Sequence, residues 1–437
     1  DALGPTLEAL AETYYLFDFA RSLKAAEEAA GHYRERGDVR GASRMLRLAS
    51  RNVWQQGDPK RPAVLAQEAI DILDGLEETV ELGRAIANLA GLRMVARADE
   101  DAVALAERAL AIGERCGDVW TTANALITKG SAVRNQGSAA AGTALLRQGL
   151  VQAKAAGLAE VALRGYNNLL LGFELEQEER ERLLQEGLAY AERHGIEQPM
   201  LTAGRSFGAF LRGNWDEALV VGERVPEGSF WRDMVVSVQV MVATGRQGPA
   251  AAMPAVRRAA EKALAATEAQ RVVSPLAQMI AVTAWAEDRG ECERWTGLLY
   301  ERTEQDRGIG RFLADGPAHL ALVGAGYLRD ARWLAVMEAA LRPDESGRAM
   351  APLTEALRAL LAGDAAACGR ALSEYYRVML ERQSGAPPAG LIFARELRRD
   401  GHALGPEWQA LFARLRPWYE HAGADWYLAE LKKLEAS

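Results

Sequence analysis

Cysteine is scarce in this 437-residue chain: Cys116, Cys292 and Cys368 lie far apart and form no C-x-x-C pair. So sparse and odd a count excludes a disulfide framework and fits a reducing compartment such as the cytoplasm. Each thiol is expected to be a small apolar residue on a helix. Lysine is nearly missing, 7 against 45 arginines, which together with 82 alanines reads as the codon bias of a GC-rich bacterium. No run approaches the roughly 20 apolar residues a bilayer demands, so a membrane span is excluded. A net charge of −8 argues against a general nucleic-acid binder, although a local basic patch stays open.

Several chemistries are excluded in the same way. The dipeptide Gly-Lys does not occur, so the phosphate-binding loop G-x-x-x-x-G-K-[ST] fails. His32, His194, His319, His402 and His421 never pair at i, i+4 around a carboxylate, and no zinc motif results. His194 and His421 fall where helix last turns are expected and read as dipole-capping cations. Gly308-Ile309-Gly310 and Gly324-Ala325-Gly326 lack a third glycine and a preceding strand, and read as interhelix turns. No cofactor and no metal is expected. The chain begins at Asp1 rather than Met, which reads as a processed or excised piece of a larger protein.

What the chain has in abundance is helix formers: Ala, Leu, Glu and Arg, with 9 Phe and 11 Tyr. Its punctuation is periodic. Glycines suited to helix C-termini recur at Gly37, Gly75, Gly117, Gly157 and Gly195, separated by 38, 42, 40 and 38 residues. Between them stand second breaks at Gly57-Asp58, Ala98-Asp99, Gly137-Ser138, Glu176-Gln177 and Gly213-Asn214. Asp99 and Ser138 are placed where N-caps belong. Each period thus holds two helices of about 15 to 18 residues, and a repeat of that length signals a solenoid. Abundant alanine gives thin helix faces that approach closely, and each pair needs its neighbours to cover its apolar side.

The string Gly213-Asn214-Trp215-Asp216-Glu217-Ala218-Leu219 resembles the turn and second-helix start of a tetratricopeptide repeat. Gly91 and Gly130 sit seven residues before their turns, where that repeat often carries a first-helix glycine. At about 40 residues the period is longer than that family's 34, and in this it resembles the TPR-like regions of large bacterial signalling ATPases. These include LuxR-type transcription regulators and ATPase-coupled adenylate cyclases. The resemblance spans residues 14–224 and, more loosely, 249–435. It implies an all-α, right-handed superhelical α-solenoid whose first helices line a concave groove.

The period organises the chain as an N-terminal array over 1–225, an irregular junction over 226–256, a less regular array over 257–385 and capping helices over 386–437. The β-branched run Met234 to Ala243 lies in the junction and reads as a buried helix by its context.

Two motifs bear on chemistry. Gly204-Arg205-Ser206-Phe207-Gly208 matches the G-x-S-x-G nucleophile elbow, but it lies inside a helical pattern with no strand before it, so no enzyme is expected. Arg40, Arg44, Arg47 and Arg51 step by 4, 3 and 4, which puts four guanidinium groups on one stripe of one helix. Like charges at that spacing repel mildly, so something must balance them. Carboxylates of the neighbouring pair, such as Glu77, Glu78 and Glu81, are one answer. The other, implied by the resemblance, is a groove site of Arg44, Arg47, Arg51 and Trp54, with Asn88, Asn124, Ser131, Arg164, Asn167 and Arg205 at comparable positions. That arrangement suits an acidic peptide, a protein partner or a small acidic effector, and contacts neither nucleic acid nor membrane. The functional expectation is a non-catalytic sensor or interaction module of a bacterial signalling or transcription-regulatory protein, with an upstream ATPase and output domain in the full-length chain. A free-standing scaffold holding a partner's helix or tail is the alternative.

Overall fold

The computed structural model describes residues 2–436 apart from 16–17, 57, 59, 172–174, 228, 230, 267–268, 315–316 and 342–344. Among the described residues every regular element is a helix, and the contacts divide the chain into two compact units. Unit one comprises residues 1–172 and 189–196, and unit two residues 173–188 and 197–437.

Unit one is built from α1 (Leu3–Tyr14), α2 (Phe19–Glu35), α3 (Val39–Gln55), α4 (Arg61–Asp71) and α5 (Val80–Val95). It continues through α6 (Asp99–Cys116), α7 (Val119–Asn135), α8 (Ala139–Ala155), α9 (Ala159–Leu170) and the end of α10 (Gln177–Arg193). The punctuation works as expected. Gly37, Gly75, Gly117, Gly157 and Gly195 all adopt positive φ, between 63° and 76°, the conformation glycine reaches without steric cost. At two of these stops the residue after the glycine caps the next helix. Asp38 and Asp118 accept the backbone N–H groups of Gly41 and Thr121 at 2.8 and 3.2 Å. Asp99 is not a cap; Ala98 holds that position and Asp99 is the buried first helical residue, bonded by Asn135 at 2.9 Å. The break at Gly57 lies outside the described residues, whereas the one at Gly137-Ser138 separates α7 from α8.

The odd-numbered helices form one row, α3 packing on α5, α5 on α7 and α7 on α9, while α4, α6 and α8 pack chiefly on the odd helices flanking them. Close approach of one row and not the other curves unit one, with the odd row on the inside. Glycine permits the tightest of these contacts. A Cβ on Gly130 of α7 would stand 2.7 Å from the Gly142 carbonyl oxygen of α8. Buried serines tie paired helices together: Ser22, Ser43 and Ser50 donate to the carbonyls of Ala11, Ala69 and Pro62 at 2.7, 2.6 and 2.8 Å.

Unit two holds the start of α10, then α11 (Pro199–Leu211), α12 (Trp215–Gly222), α13 (Arg232–Gln247), α14 (Pro249–Leu264), α15 (Ala269–Trp285) and α16 (Arg289–Gln305). Next come α17 (Arg307–Ala314), α18 (Ala318–Leu328), α19 (Arg332–Ala340), α20 (Glu345–Leu361) and α21 (Ala365–Glu381). It ends with α22 (Ala389–Arg399), α23 (Pro406–Ala422) and α24 (Asp425–Ala436). The stretch 226–256 contains α13 and the start of α14 and lies within this unit. The last helix turns back on the first part of the unit. Trp426 and Tyr427 of α24 meet Trp285 with ring centroids 5.0 and 5.8 Å apart, and Trp418 of α23 meets Trp215 at 5.9 Å. These aromatic contacts make a closure that the repeat period does not announce.

Two pairs of glycines expected in turns lie inside helices. Gly308 and Gly310 lie in α17, and Gly324 and Gly326 lie in the middle of α18, so none is an interhelix turn. The α18 pair is buried because α15 and α22 cross it closely: a Cβ there would collide with Ile280 and Phe393.

Candidate functional site

The G-x-S-x-G match resolves first. Ser206 is fully buried inside α11 and donates to the Ala218 carbonyl at 2.7 Å, the same helix-tying bond made by Ser22, Ser43 and Ser50. It has neither an exposed hydroxyl nor a strand before it, so the elbow geometry is missing. Among the described residues no three His, Cys, Asp or Glu side chains group as metal ligands, and no helix is long and apolar enough to cross a membrane.

The arginine stripe is more informative. It lies on α3 in the inner row, and its members have separate fates. Arg40 is exposed. Arg44 donates to both oxygens of Glu8 on α1, at 2.7 and 3.0 Å, and lies 3.5 Å from Glu81 on α5. Burial pushes the Glu8 carboxyl upward, but the bonds from Arg44 and Tyr33 outweigh it and hold the pKa below 4.5. Arg44 is thereby neutralised by carboxylates, one of which, Glu81, is among those the sequence offered.

Among the described residues Arg47 has no carboxylate within ion-pair distance. Half-buried, it lies over the Trp120 ring of α7 at 5.3 Å, and Arg84 of α5 lies over the same ring at 5.4 Å. Arg84 is balanced by a two-point bond to Asp118, at 2.8 and 3.0 Å. Burial, then Arg51 and Arg84, lowers the Arg47 pKa to about 10, so the group remains charged at neutral pH in a positive field.

Arg51 spans the inner row. Its guanidinium lies 4.6 Å from the Tyr15 ring at the end of α1 and 3.3 Å from the Glu160 carboxylate on α9. Arg164, one turn after Glu160, donates to Asn124 Oδ1 at 3.1 Å and to Thr128 Oγ1 at 2.7 Å, both on α7. It too has no acidic partner among the described residues, and burial followed by Arg51 lowers its pKa to about 10. Arg164 also passes Gly91 of α5, where an added Cβ would make an ordinary contact with Nη2 at 3.8 Å.

The structure therefore gathers Arg44, Arg47, Arg51, Asn124 and Arg164 on the inner row of unit one. Asn88 and Ser131 belong to it as struts. Asn88 donates to Ser50 at 3.0 Å, and Ser131 donates to Ile127 O at 3.0 Å and accepts from Asn168 at 2.9 Å. Asn167 is half-buried and bonds Asn168 at 3.1 Å; Trp54 is half-buried in the last turn of α3. Arg205 lies in unit two, where it pairs with Glu217 at 3.1 Å. Sequence reasoning did not single out Glu8, Tyr15, Arg84, Trp120 or Glu160. Arg84 carried a usable signal, since its partner Asp118 comes directly after a helix-ending glycine and so stands at a repeat boundary.

No family model and no curated protein matches this chain. A solved structure described as a circular tandem repeat protein with novel repeat topology and enhanced subunit contact surfaces aligns over 99% of this chain and 96% of its own, at 14% identity. The TM-score is 0.16, so the two backbones do not superimpose as one arrangement.

Proposed function

We propose that this chain is a non-catalytic, TPR-like recognition module whose inner row in unit one binds an acidic ligand, as part of a bacterial signalling or transcription-regulatory protein. One observation carries the reading: among the described residues Arg47 and Arg164 are half-buried cations with no carboxylate partner, beside pairs in which Arg44 and Arg84 are fully matched. Desolvating a charge without an opposite charge is costly, and a ligand anion would repay that cost. The signalling context rests on the resemblance of the repeat period to the TPR-like regions of signalling ATPases. In that setting the ligand acts by preferring one of two arrangements of the helices.

The test is binding of the full chain to an immobilised Asp/Glu-rich peptide and to its phosphoserine counterpart. Either peptide should bind in a salt-sensitive manner, and Arg47→Ala should weaken it while Arg205→Ala should not. If neither peptide binds, or if Arg47→Ala leaves binding untouched, the inner-row reading fails.

A further inference from the structure

The geometry points to a phosphoryl site at the Arg51–Glu160 pair, in which Glu160 holds Arg51 until a phosphoryl dianion displaces it and is gripped by Arg47, Arg51 and Arg164. This rests on the inner-row reading and names its ligand class. Arg47 and Arg51 are one turn apart on α3, and Glu160 and Arg164 one turn apart on α9, so each couple shares a helix face. The two faces meet where Arg51 Nη2 lies 3.3 Å from Glu160 Oε2, and the two guanidinium groups without an acidic partner among the described residues, Arg47 and Arg164, are both within electrostatic reach of Arg51.

Charge counting selects the ligand. Among the described residues, three guanidinium groups stand against one carboxylate at contact distance, leaving two positive charges uncompensated. Glu12 is within electrostatic reach of Arg47, but it is exposed and forms no ion pair with it. A phosphate monoester carries about −1.5 to −2 at pH 7 and three strong acceptor oxygens, whereas a carboxylate offers one charge and two. Planar guanidinium forks match phosphate oxygens bidentately. Glu160 is suited to leave: its side chain is 48% exposed and holds Arg51 through a single 3.3 Å contact. Once displaced it returns to water, and the direct tie between α3 and α9 is exchanged for one that runs through the phosphoryl group, which couples occupancy to the spacing of the inner row.

Calorimetric titration of the full chain with inorganic phosphate tests this, with acetate as the monoanion and with O-phosphoserine and a sugar phosphate to distinguish the carriers of the group. Phosphate should bind and acetate should not, and Arg47→Ala and Arg164→Ala should each weaken phosphate about tenfold, the scale of a lost charge-assisted bond. Glu160→Gln should tighten it, because the competitor is gone. Arg51→Lys, which keeps the charge and loses the fork, should weaken it, with melts confirming that each variant folds. Equal binding of acetate and phosphate, or an unchanged or weakened phosphate affinity in Glu160→Gln, overturns the inference. The reading beneath it survives such a result if the unphosphorylated acidic peptide still binds through Arg47, and falls only if that dependence is missing.

Discussion

Asn88 Nδ2 donates to Ser50 Oγ at 3.0 Å, and the Ser50 hydroxyl donates in turn to the Pro62 carbonyl at 2.8 Å. The three groups join α5, α3 and α4 in one chain of hydrogen bonds, and Ser50 at its centre is fully buried. Ser50→Ala strands a buried carbonyl and an amide together, at a cost of about 1–3 kcal/mol. Urea unfolding should show it as a lower midpoint, with ligand affinity unchanged.

Arg44 and Arg47 are three residues apart and should respond in opposite ways to truncation. Arg44→Ala leaves Glu8 without its main partner and should lower the melting temperature by several degrees, equivalent to about 1–2 kcal/mol. Arg47→Ala removes a contact with Trp120 of about 0.5–1 kcal/mol, offset by relief of repulsion from Arg51 and Arg84, so its melt should stay close to wild type. A larger loss for Arg47→Ala than for Arg44→Ala would contradict the assignment of partners.

Acid should destabilise unit one through Glu8 and Asp118. Both carboxyls have folded pKa values below their ordinary 4.5 and 3.8, so the folded state holds these protons less tightly than the unfolded chain. Their stabilisation is complete above those ordinary values and is lost as pH falls through the lowered ones. Denaturant midpoints should therefore be level in this contribution above about pH 5 and fall below about pH 4. Glu8→Gln should flatten the acid limb while lowering the plateau.

Glycines at two helix positions give opposite signs. Gly142→Ala forces a Cβ to within 2.7 Å of Arg134 Cβ and backbone N on α7, so the two helices must part, at about 2–3 kcal/mol. Gly204 is exposed on α11, and an alanine methyl there would meet no atom within 4 Å, so Gly204→Ala should stabilise by about 0.5–1 kcal/mol. Thermal melts of the two single variants decide it.

Thiol reactivity should separate the cysteines. Cys292 and Cys368 are buried, and burial pushes the Cys292 thiol up to about 11 and Cys368 higher still. Cys116 is half-buried at the end of α6. An aromatic disulfide reagent should label one thiol quickly in the native protein and the other two only on unfolding. Fast labelling of all three would contradict the packing around α16 and α21.

The helix succession was legible because its signals are local. Each of Gly37, Gly75, Gly117, Gly157 and Gly195 must reach positive φ, and that requirement is visible in one residue type. The stripe of Arg44, Arg47 and Arg51 was visible for the same reason, being set by helical spacing alone. Their partners were not. Glu8 is 36 positions before Arg44, and Glu160 is 109 after Arg51, and only the curvature of the inner row brings them together. The glycines of α18 misled for a related reason: the residues that demand them, Ile280 and Phe393, come from distant helices, so their role as clearance was mistaken for that of a turn.

The unequal packing of the two rows in unit one has a mechanical side. Where inner helices touch one another and outer helices touch chiefly inner ones, the inner row behaves as the binding of a book and the outer helices as its pages. A fraction of an ångström added or removed along the binding fans the pages through a larger arc. Any event that alters the reach between α3 and α9 would be amplified at the outer surface, where another protein could feel it without approaching the arginines at all.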